Sequence, residues 1–110
     1  MGQYHKAYNA TKKEFIHPHR IDNGLKLMEQ VGFDKSTATA LFFLLANSNG
    51  RGGGDARKHP LIGHWAGDSV VIQGDYTEPT DPGHIDPETL ETFTDISAQV
   101  VDMLNNEFGE

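Results

Sequence analysis

The densest apolar segment of this 110-residue chain, Ala40–Ala46, constrains the fold more than any other feature of the sequence. Its apolar residues recur at three- and four-residue steps, which predicts an α-helix over Thr37–Asn47. Ser36 or Thr37 can cap the N-terminus of this helix, and Gly50 suits the left-handed conformation that often follows a C-terminus. A helix that is apolar over most of its circumference is expected to be buried by several neighbours, here a sheet. The segment is also far shorter than the ~20 residues that span a bilayer.

The N-terminal third of the chain has the pattern of a β-hairpin. Tyrosine and lysine side chains alternate with others at a period of two in Gln3–Asn9, which predicts a strand. Asn9–Lys12 is polar and turn-like, and Lys13–His17 predicts the returning strand. Pro18 ends that strand, because proline cannot donate a hydrogen bond to the ladder.

Further strands are predicted in the middle of the chain. Residues 24–30 are compatible with a strand or a helical turn, and the alternation of two leucines favours the strand. Leu61–Trp65 and Ser69–Gln73 flank the turn-like Ala66–Asp68, which predicts a second hairpin. The uninterrupted apolar run Val70–Ile72 favours a strand that is covered on both faces or lies centrally.

A second helix is predicted over residues 87–106. Asp86 suits the cap, Pro87 suits the first turn, and Glu88 lies near the positive end of the helix dipole. Apolar residues follow at helical spacing: Leu90, Phe93, Ile96, Val100, Val101 and Leu104. The order strands, helix, strands, helix predicts an α+β fold, a single two-layer domain over residues 1–110 with a mainly antiparallel sheet. Its two principal helices are expected at about 37–47 and 87–106.

Composition and charge exclude several classes of protein. Sixteen Asp and Glu against nine Lys and Arg give a formal charge of −7, which argues against a broad phosphate-binding patch and direct nucleic-acid binding. The absence of cysteine excludes disulfide scaffolds and cysteine-ligated metals. No apolar segment follows a basic N-terminus, so we expect a soluble, cytoplasmic protein without membrane attachment.

A glycine-rich loop follows the first helix and is the most unusual local feature of the chain. Its predicted contact residues are Arg51, Gly52, Gly53, Gly54 and Asp55. Free backbone amides with an arginine beside them could hold an anion or a partner. The glycines follow a helix instead of opening one, and the Lys-Ser/Thr of a P-loop is absent, so a flexible connector is the alternative interpretation.

Trp65, Asp68 and Asp75 bracket the most apolar strand and are candidate ligand or partner contacts. Trp65 could stack on a planar ligand, or it could fill the core with its indole N–H bonded to a carbonyl. Asp68 lies in a turn, where aspartate commonly bonds its own backbone. Asp75 lies at a strand end, where its carboxylate could face a site or cap a loop.

His17 and His19 are weak candidates for metal ligands. Two residues apart on an extended backbone, they would project to the same side. A carboxylate such as Asp55, Asp68 or Asp75 could complete a two-histidine, one-carboxylate site. Pro18 lies between the histidines and can bend them apart, so surface or capping roles are the alternative.

Several short motifs occur together within residues 2–76. They are Gly2-Gln-Tyr4, Thr11-Lys-Lys-Glu-Phe-Ile16 followed by Pro18-His19, Gly24-Leu-Lys-Leu-Met-Glu29, Asn49-Gly-Arg-Gly-Gly-Gly-Asp55, and Trp65-Ala-Gly-Asp68 with Gly74-Asp-Tyr76. In this combination they resemble a family of short, uncharacterised microbial and phage proteins. The resemblance implies an accessory role in interaction or regulation, and it brings no activity, cofactor or catalytic residues.

The leading hypothesis is a small acidic protein without catalytic machinery that binds a protein partner through loop 50–55 and the 65–68 turn. No Ser-His-Asp or Cys-His set can be assembled from the sequence. The alternative is a small enzyme or ligand-binding protein, with or without a metal, in which Arg51 and the glycine amides hold a nucleotide or another phosphorylated compound. A third hypothesis is a homodimer through the C-terminal helix, because a long helix in a small domain can carry more apolar surface than one sheet covers.

Overall fold

A four-stranded sheet built from both ends of the chain organises the fold. The computed structural model describes residues 3–109. The strands are β1 (His5–Asn9), β2 (Glu14–Ile16), β3 (Val70–Gly74) and β4 (Thr94–Asp95), in the order β3-β1-β2-β4. β1 is antiparallel to both β2 and β3, and only the short β2–β4 pair is parallel. The predicted α+β fold with a mainly antiparallel sheet is therefore confirmed.

The N-terminal hairpin forms as the alternation predicts. Ala7 pairs with Ile16 and Tyr8 with Phe15 across β1 and β2. The Asn9 side chain closes the turn, because its Oδ1 accepts the Lys12 backbone N–H at 2.7 Å. The two faces of the hairpin consequently differ: Ala7 and Ile16 are buried in the core, whereas Tyr8 lies on the opposite face.

The first helix, α1 (Thr37–Leu45), ends two residues before its predicted end. Ser36 caps it as expected, since its Oγ accepts the Thr39 backbone N–H at 3.1 Å. Two short 3₁₀ helices precede it, at Pro18–Ile21 and Leu27–Gln30.

The second of these 3₁₀ helices replaces the strand favoured for residues 24–30, so that prediction was wrong. Only an isolated bridge between Tyr4 and Lys26 remains of the strand pairing. The Gln30 side chain explains the difference, because its Nε2 donates to the His5 carbonyl at 2.9 Å. The His5 carbonyl therefore accepts its hydrogen bond from a side chain. In a regular strand pair it would accept a hydrogen bond from the backbone N–H of the neighbouring strand.

The predicted hairpin of Leu61–Trp65 with β3 is also absent from residues 3–109. Leu61–Trp65 forms consecutive turns, and its backbone bonds to the end of α1: the Trp65 N–H donates to the Leu44 carbonyl at 2.9 Å. β3 therefore pairs with β1 alone and is an edge strand. The predicted central position of Val70–Ile72 was wrong, and Ile72 is 37% exposed.

The predicted helix over 87–106 is broken into α2 (Pro87–Leu90) and α3 (Ser97–Phe108). The break is caused by pairing with β2, since the Thr94 N–H donates to the Lys13 carbonyl at 2.8 Å and the Ile96 N–H donates to the Phe15 carbonyl at 3.0 Å. The apolar spacing survives the break, because Ile96 and the α3 residues of the stripe still face inward. Periodicity alone could not separate one helix from two.

The core lies between one face of the sheet and the helices α1 and α3. Trp65 fills its centre, beside Leu44 of α1. The buried apolar residues are Ala7, Ile16, Ile21, Ala40, Leu44, Trp65, Ile96, Val100, Met103 and Leu104. Burial of α1 on most sides was expected, and for Phe42 and Leu45 that prediction was wrong, since they are 81% and 42% exposed. Across residues 3–109, none of the helices combines the length and apolar character needed to cross a bilayer.

Candidate interaction surface

The glycine-rich segment after α1 is a closed loop. The Asn49 side chain clasps its two ends together: Nδ2 donates to the Ala56 carbonyl at 2.9 Å, and Oδ1 accepts the Ala56 N–H at 2.8 Å. Gly50 and Gly54 have φ values of +86° and +88°, a conformation that strains any other residue. The loop is therefore held in one shape by its own residues.

Asp55 occupies the anion-binding position of this loop. Its Oδ2 accepts the backbone N–H groups of Gly50 at 2.8 Å and Arg51 at 2.9 Å. These backbone hydrogen bonds, that from Arg51 first, hold the pKa of the Asp55 carboxyl below its ordinary value. The two amides are thus used by the chain's own carboxylate. What the loop offers outward is the exposed Arg51 and the exposed backbone of residues 52–54.

Trp65 was predicted as a contact residue, and the structure instead places it in the core, where it is fully buried. Its Nε1 donates to Glu14 Oε1 at 2.8 Å, and His64 Nε2 lies 3.0 Å from the same oxygen. The alternative interpretation of a core tryptophan is correct, with a carboxylate as the acceptor in place of a carbonyl. Because no part of its side chain reaches the surface, Trp65 cannot touch a partner.

Asp68 lies at the end of the predicted 65–68 contact turn and binds that turn to the N-terminal hairpin. Its Oδ2 accepts hydrogen bonds from Lys12 Nζ at 2.6 Å and Asn9 Nδ2 at 2.8 Å. These two bonds, that from Lys12 first, lower the pKa of Asp68. Because the carboxylate is bonded within the chain, the 65–68 turn has a structural role.

The predicted metal ligands do not assemble into a site. The rings of His17 and His19 have centroids 5.7 Å apart. Nowhere in the described part of the chain do three or more His, Asp or Glu side chains lie close enough together to hold a metal ion. Asp75 uses Oδ1 to accept the Tyr4 backbone N–H at 3.0 Å. Asp75 and His17 do share a cleft, which lies on the sheet face opposite the core.

An exposed apolar face on α1 is the surface feature that the sequence-based prediction missed. Phe33, Phe42 and Phe43 line a shallow groove of about 450 Å³, together with Ala38 and Thr39. The signal was present in the sequence, because α1 is apolar around more of its circumference than one sheet face can cover. We call the exposed Phe42 and Leu45 of α1, together with the exposed Phe33 from the loop before the helix, the α1 face.

The chain segment that forms α1 is free of charge over a long stretch, and Asp34 is the charged residue among those that line the groove. No charged residue occurs between Lys35 and Arg51, although the whole chain carries a formal charge of −7. Phe43 stacks on Phe108 of α3 at a centroid distance of 6.2 Å. The neighbouring Glu107 accepts the Arg57 N–H at 2.7 Å. Phe43 of α1 and the segment that follows the glycine-rich loop thus both contact the C-terminal end of α3.

The third hypothesis, a homodimer through the C-terminal helix, rested on surplus apolar surface there. Val100, Met103 and Leu104 of α3 are buried in the chain's own core. Phe42 of α1 is the most exposed large apolar side chain among residues 3–109, at 81%. On α3 the exposed apolar side chain is Phe108, at 38%, so the larger exposed apolar surface of the two long helices lies on α1, and the homodimer through α3 stays a prediction.

Comparison with known proteins gives no relative from which a function could be transferred: no family model matches this chain, and neither a curated protein nor a solved structure matches it significantly. The resemblance to a microbial and phage family stays a prediction.

Proposed function

We propose that this chain is a non-catalytic interaction protein that docks an apolar segment of a protein partner on the α1 face. The observation that carries the proposal is Phe42, which is 81% exposed in the middle of a helix whose other side is anchored in the core. Burying a phenylalanine side chain stabilises a complex by roughly 1.5–3 kcal/mol. Contiguous exposed apolar patches are rare on soluble monomers, and protein–protein interaction sites are one of the features they mark.

The charge pattern supports an apolar partner. An acidic protein repels other acidic surfaces at long range, whereas the stretch from Ser36 to Gly50 carries no charge that a partner would desolvate, and Asp34 is the charged residue among those that line the groove. The preformed glycine-rich loop lies beyond the C-terminal end of α1 and adds Arg51 as a polar contact at the rim. Interfaces of this kind combine an apolar centre with a polar rim.

The geometry of loop 50–55 gives less support to the alternative function, an enzyme or ligand-binding protein that holds a phosphorylated compound in this loop. Two amides of the loop, those of Gly50 and Arg51, already bond the Asp55 carboxylate, which leaves the Arg51 side chain and the amides of residues 52–54 for an anion. A phosphate bound by these groups would lie in the same small loop as the negatively charged Asp55 carboxylate. The loop is better suited to contact a partner than to bind a phosphate.

The test is site-specific photo-crosslinking in cells of the source organism, with a photoreactive phenylalanine analogue at position 42. Position 76 is the matched control, because Tyr76 is an exposed aromatic residue outside the α1 face. We expect one protein to crosslink at position 42 and not at position 76. Phe42→Gln should weaken capture of that protein by tenfold or more, as loss of a central aromatic anchor does, and Arg51→Ala should weaken it less.

Two outcomes would overturn the proposal. Crosslinking that is equal at positions 42 and 76 would show that the α1 face has no preferred partner. Capture that survives Phe42→Gln and is lost with Tyr76→Gln would move the interface to another surface. Light scattering of the purified protein identifies the case in which the captured partner is a second copy of the chain.

A further inference from the structure

A cleft of about 380 Å³ lies on the sheet face opposite the core. Strand alternation places Tyr4, Lys6 and Tyr8 of the N-terminal segment on this face, and the connector between β3 and α2 forms the facing wall. This volume is in the range of small-molecule sites in proteins, roughly 300–1,000 Å³. The α1 face is formed by other residues, so the cleft is independent of the proposed interaction surface.

Several polar groups of the cleft are already used to build its walls. Gln73 bonds both ends of its amide to the Ile85 backbone, donating at 2.9 Å and accepting at 2.8 Å. His84 Nδ1 lies 3.1 Å from Thr77 Oγ1, and its Nε2 lies 3.4 Å from Asp86 Oδ1. These contacts tie the connector to the edge strand β3, so the cleft has a fixed outer wall.

Two nitrogen-bearing side chains of the cleft are not used in this way. Lys6 is half-buried, its ammonium has no carboxylate within 4.0 Å among residues 3–109, and Nζ lies 5.9 Å from the centroid of the Phe15 ring. His17 Nδ1 is buried and has no hydrogen-bond partner. Native structures rarely leave buried polar atoms unpaired, and such atoms often mark a site for a missing partner.

The rest of the lining sets the size and charge of the ligand. Tyr4, Tyr8, Leu25, Pro87 and Leu90 give it aromatic and aliphatic walls. Burial raises the pKa of Tyr8, so its hydroxyl stays protonated and can donate. Burial and then the charges of Lys6 and Arg20 lower the pKa of His17, which leaves Lys6 as the main positive charge inside the cleft at neutral pH. Asp75 adds a negative charge beside Tyr4.

We propose that this cleft binds a small organic monocarboxylate, with its carboxylate on Lys6 and its aromatic or aliphatic body between the tyrosines and Leu90. One ammonium balances one negative charge. A phosphate dianion would bring a second negative charge into a cleft that is also lined by Asp75 and in which Lys6 is the lysine or arginine present among residues 3–109. The Asp75 carboxylate could also pair with an ammonium group on the ligand. The monocarboxylate could therefore be an amino acid or a simple carboxylic acid.

The test is a titration of the full-length protein followed by two-dimensional NMR, with four probes. They are 3-phenylpropionate, phenylalanine, phenethylamine and inorganic phosphate. We expect 3-phenylpropionate and phenylalanine to shift the signals of Tyr8 and His17, and phenethylamine and phosphate to leave them unchanged. Tighter binding of phenylalanine than of 3-phenylpropionate would identify an amino-acid site, and the reverse order a site for simple acids.

Lys6→Met should weaken carboxylate binding by about tenfold, because it removes a charge-assisted hydrogen bond. Lys58→Met is the matched control, since Lys58 is exposed and does not line the cleft. Circular dichroism of both variants checks that the fold is retained. The proposal is overturned if neither carboxylate shifts the cleft signals, if phosphate shifts them equally, or if a folded Lys6→Met binds as tightly as Lys58→Met.

Discussion

The charge state of His17 is set by its immediate neighbours. Its backbone N–H donates to Ser97 Oγ at 2.8 Å, which fixes its position beside the cleft. The pKa of the imidazole lies below its ordinary value because burial disfavours the charged form and Lys6 and Arg20 repel it, while Asp95 partly opposes them.

Replacing Lys6 with methionine should raise the pKa of His17. The substitution removes the first-ranked of the positive charges that act on the imidazole, and it keeps an unbranched side chain that is one atom shorter. The measurement is a pH titration of the His17 Cε1–H signal by NMR. Lys58→Met should leave the His17 titration where it is in the unmodified protein. An unchanged pKa in a folded Lys6→Met variant would show that the two side chains do not interact.

The same shift makes stability depend on pH. Because the pKa of His17 is lower in the folded chain than in the unfolded chain, the unfolded chain binds a proton first as the pH falls. Folding is therefore weakened as the pH falls below the ordinary histidine value of about 6.5, down to the folded-state pKa. Urea denaturation between pH 7 and pH 5 should show a smaller loss of stability in His17→Gln than in the unmodified protein. Equal losses would contradict a lowered pKa of His17 in the folded chain.

Trp65 joins the core to the edge of the N-terminal hairpin through Glu14. Trp65→Phe removes both buried volume and the 2.8 Å hydrogen bond to Glu14 Oε1, and we expect it to lower the free energy of unfolding by about 2–4 kcal/mol. The measurement is urea denaturation followed by circular dichroism. Tyr76→Phe is an exposed aromatic control and should stay within about 0.5 kcal/mol of the unmodified protein. A Trp65→Phe variant as stable as this control would exclude a structural role for the indole N–H.

At the scale of elements, α1 is anchored at its N-terminus by a buried amide. Asn23 Oδ1 accepts the Thr37 backbone N–H at 2.8 Å and the Thr37 hydroxyl at 3.0 Å. Its Nδ2 donates to the Ile21 carbonyl at 2.9 Å and the Lys35 carbonyl at 3.1 Å. The 3₁₀ helix at 18–21 and the start of α1 are thus held together by one side chain.

Asn23→Ala should lower the free energy of unfolding by about 2–3 kcal/mol, because it leaves buried backbone groups unpaired. Asn47→Ala is the matched control, since Asn47 is exposed and follows the end of α1; it should change stability by less than about 0.5 kcal/mol. Urea denaturation of both variants gives the comparison. Equal effects of the two substitutions would mean that the Asn23 amide does not anchor α1.

Elements with local signals were predictable, and elements made by distant contacts were not. Ser36 and the apolar spacing after it define α1 within the segment itself, and the alternation before Asn9 defines β1 in the same way. The break after Leu90 depends on the Thr94 N–H reaching Lys13, and no local pattern encodes that contact. For the same reason Trp65 was misplaced, because its partner Glu14 lies far away in the sequence.

The candidate surfaces follow the same division. The polarity and glycine content of loop 50–55 correctly indicated an exposed segment, but the use of its amides by Asp55 depends on loop geometry. Exposure of Phe42 depends on which side of α1 the sheet covers, and a helix that is apolar all round does not specify that side. The cleft around Lys6 requires β1, β3 and the connector to be placed together.

At the scale of the whole molecule, both ends of the chain build one sheet and one core. Tyr4 and Asp75 are joined across the sheet edge, and His17 is joined to Ser97, at sequence separations of 71 and 80 residues. No half of the chain can therefore complete the sheet without the other half. Folding dominated by such distant contacts is expected to be slow, because chain closure must precede the contacts that stabilise it.

This arrangement predicts a single cooperative domain. Trp65, the only tryptophan, reports on the centre of the core by fluorescence, and circular dichroism reports on all helices and strands. If sheet and helices form one unit, the two signals should give the same urea midpoint and the same slope. Asn23→Ala should shift both midpoints equally, although Asn23 contacts only the start of α1. Two different midpoints would show that the chain contains two folding units. A midpoint shift in circular dichroism without one in Trp65 fluorescence would likewise show that the sheet and α1 do not unfold as one body.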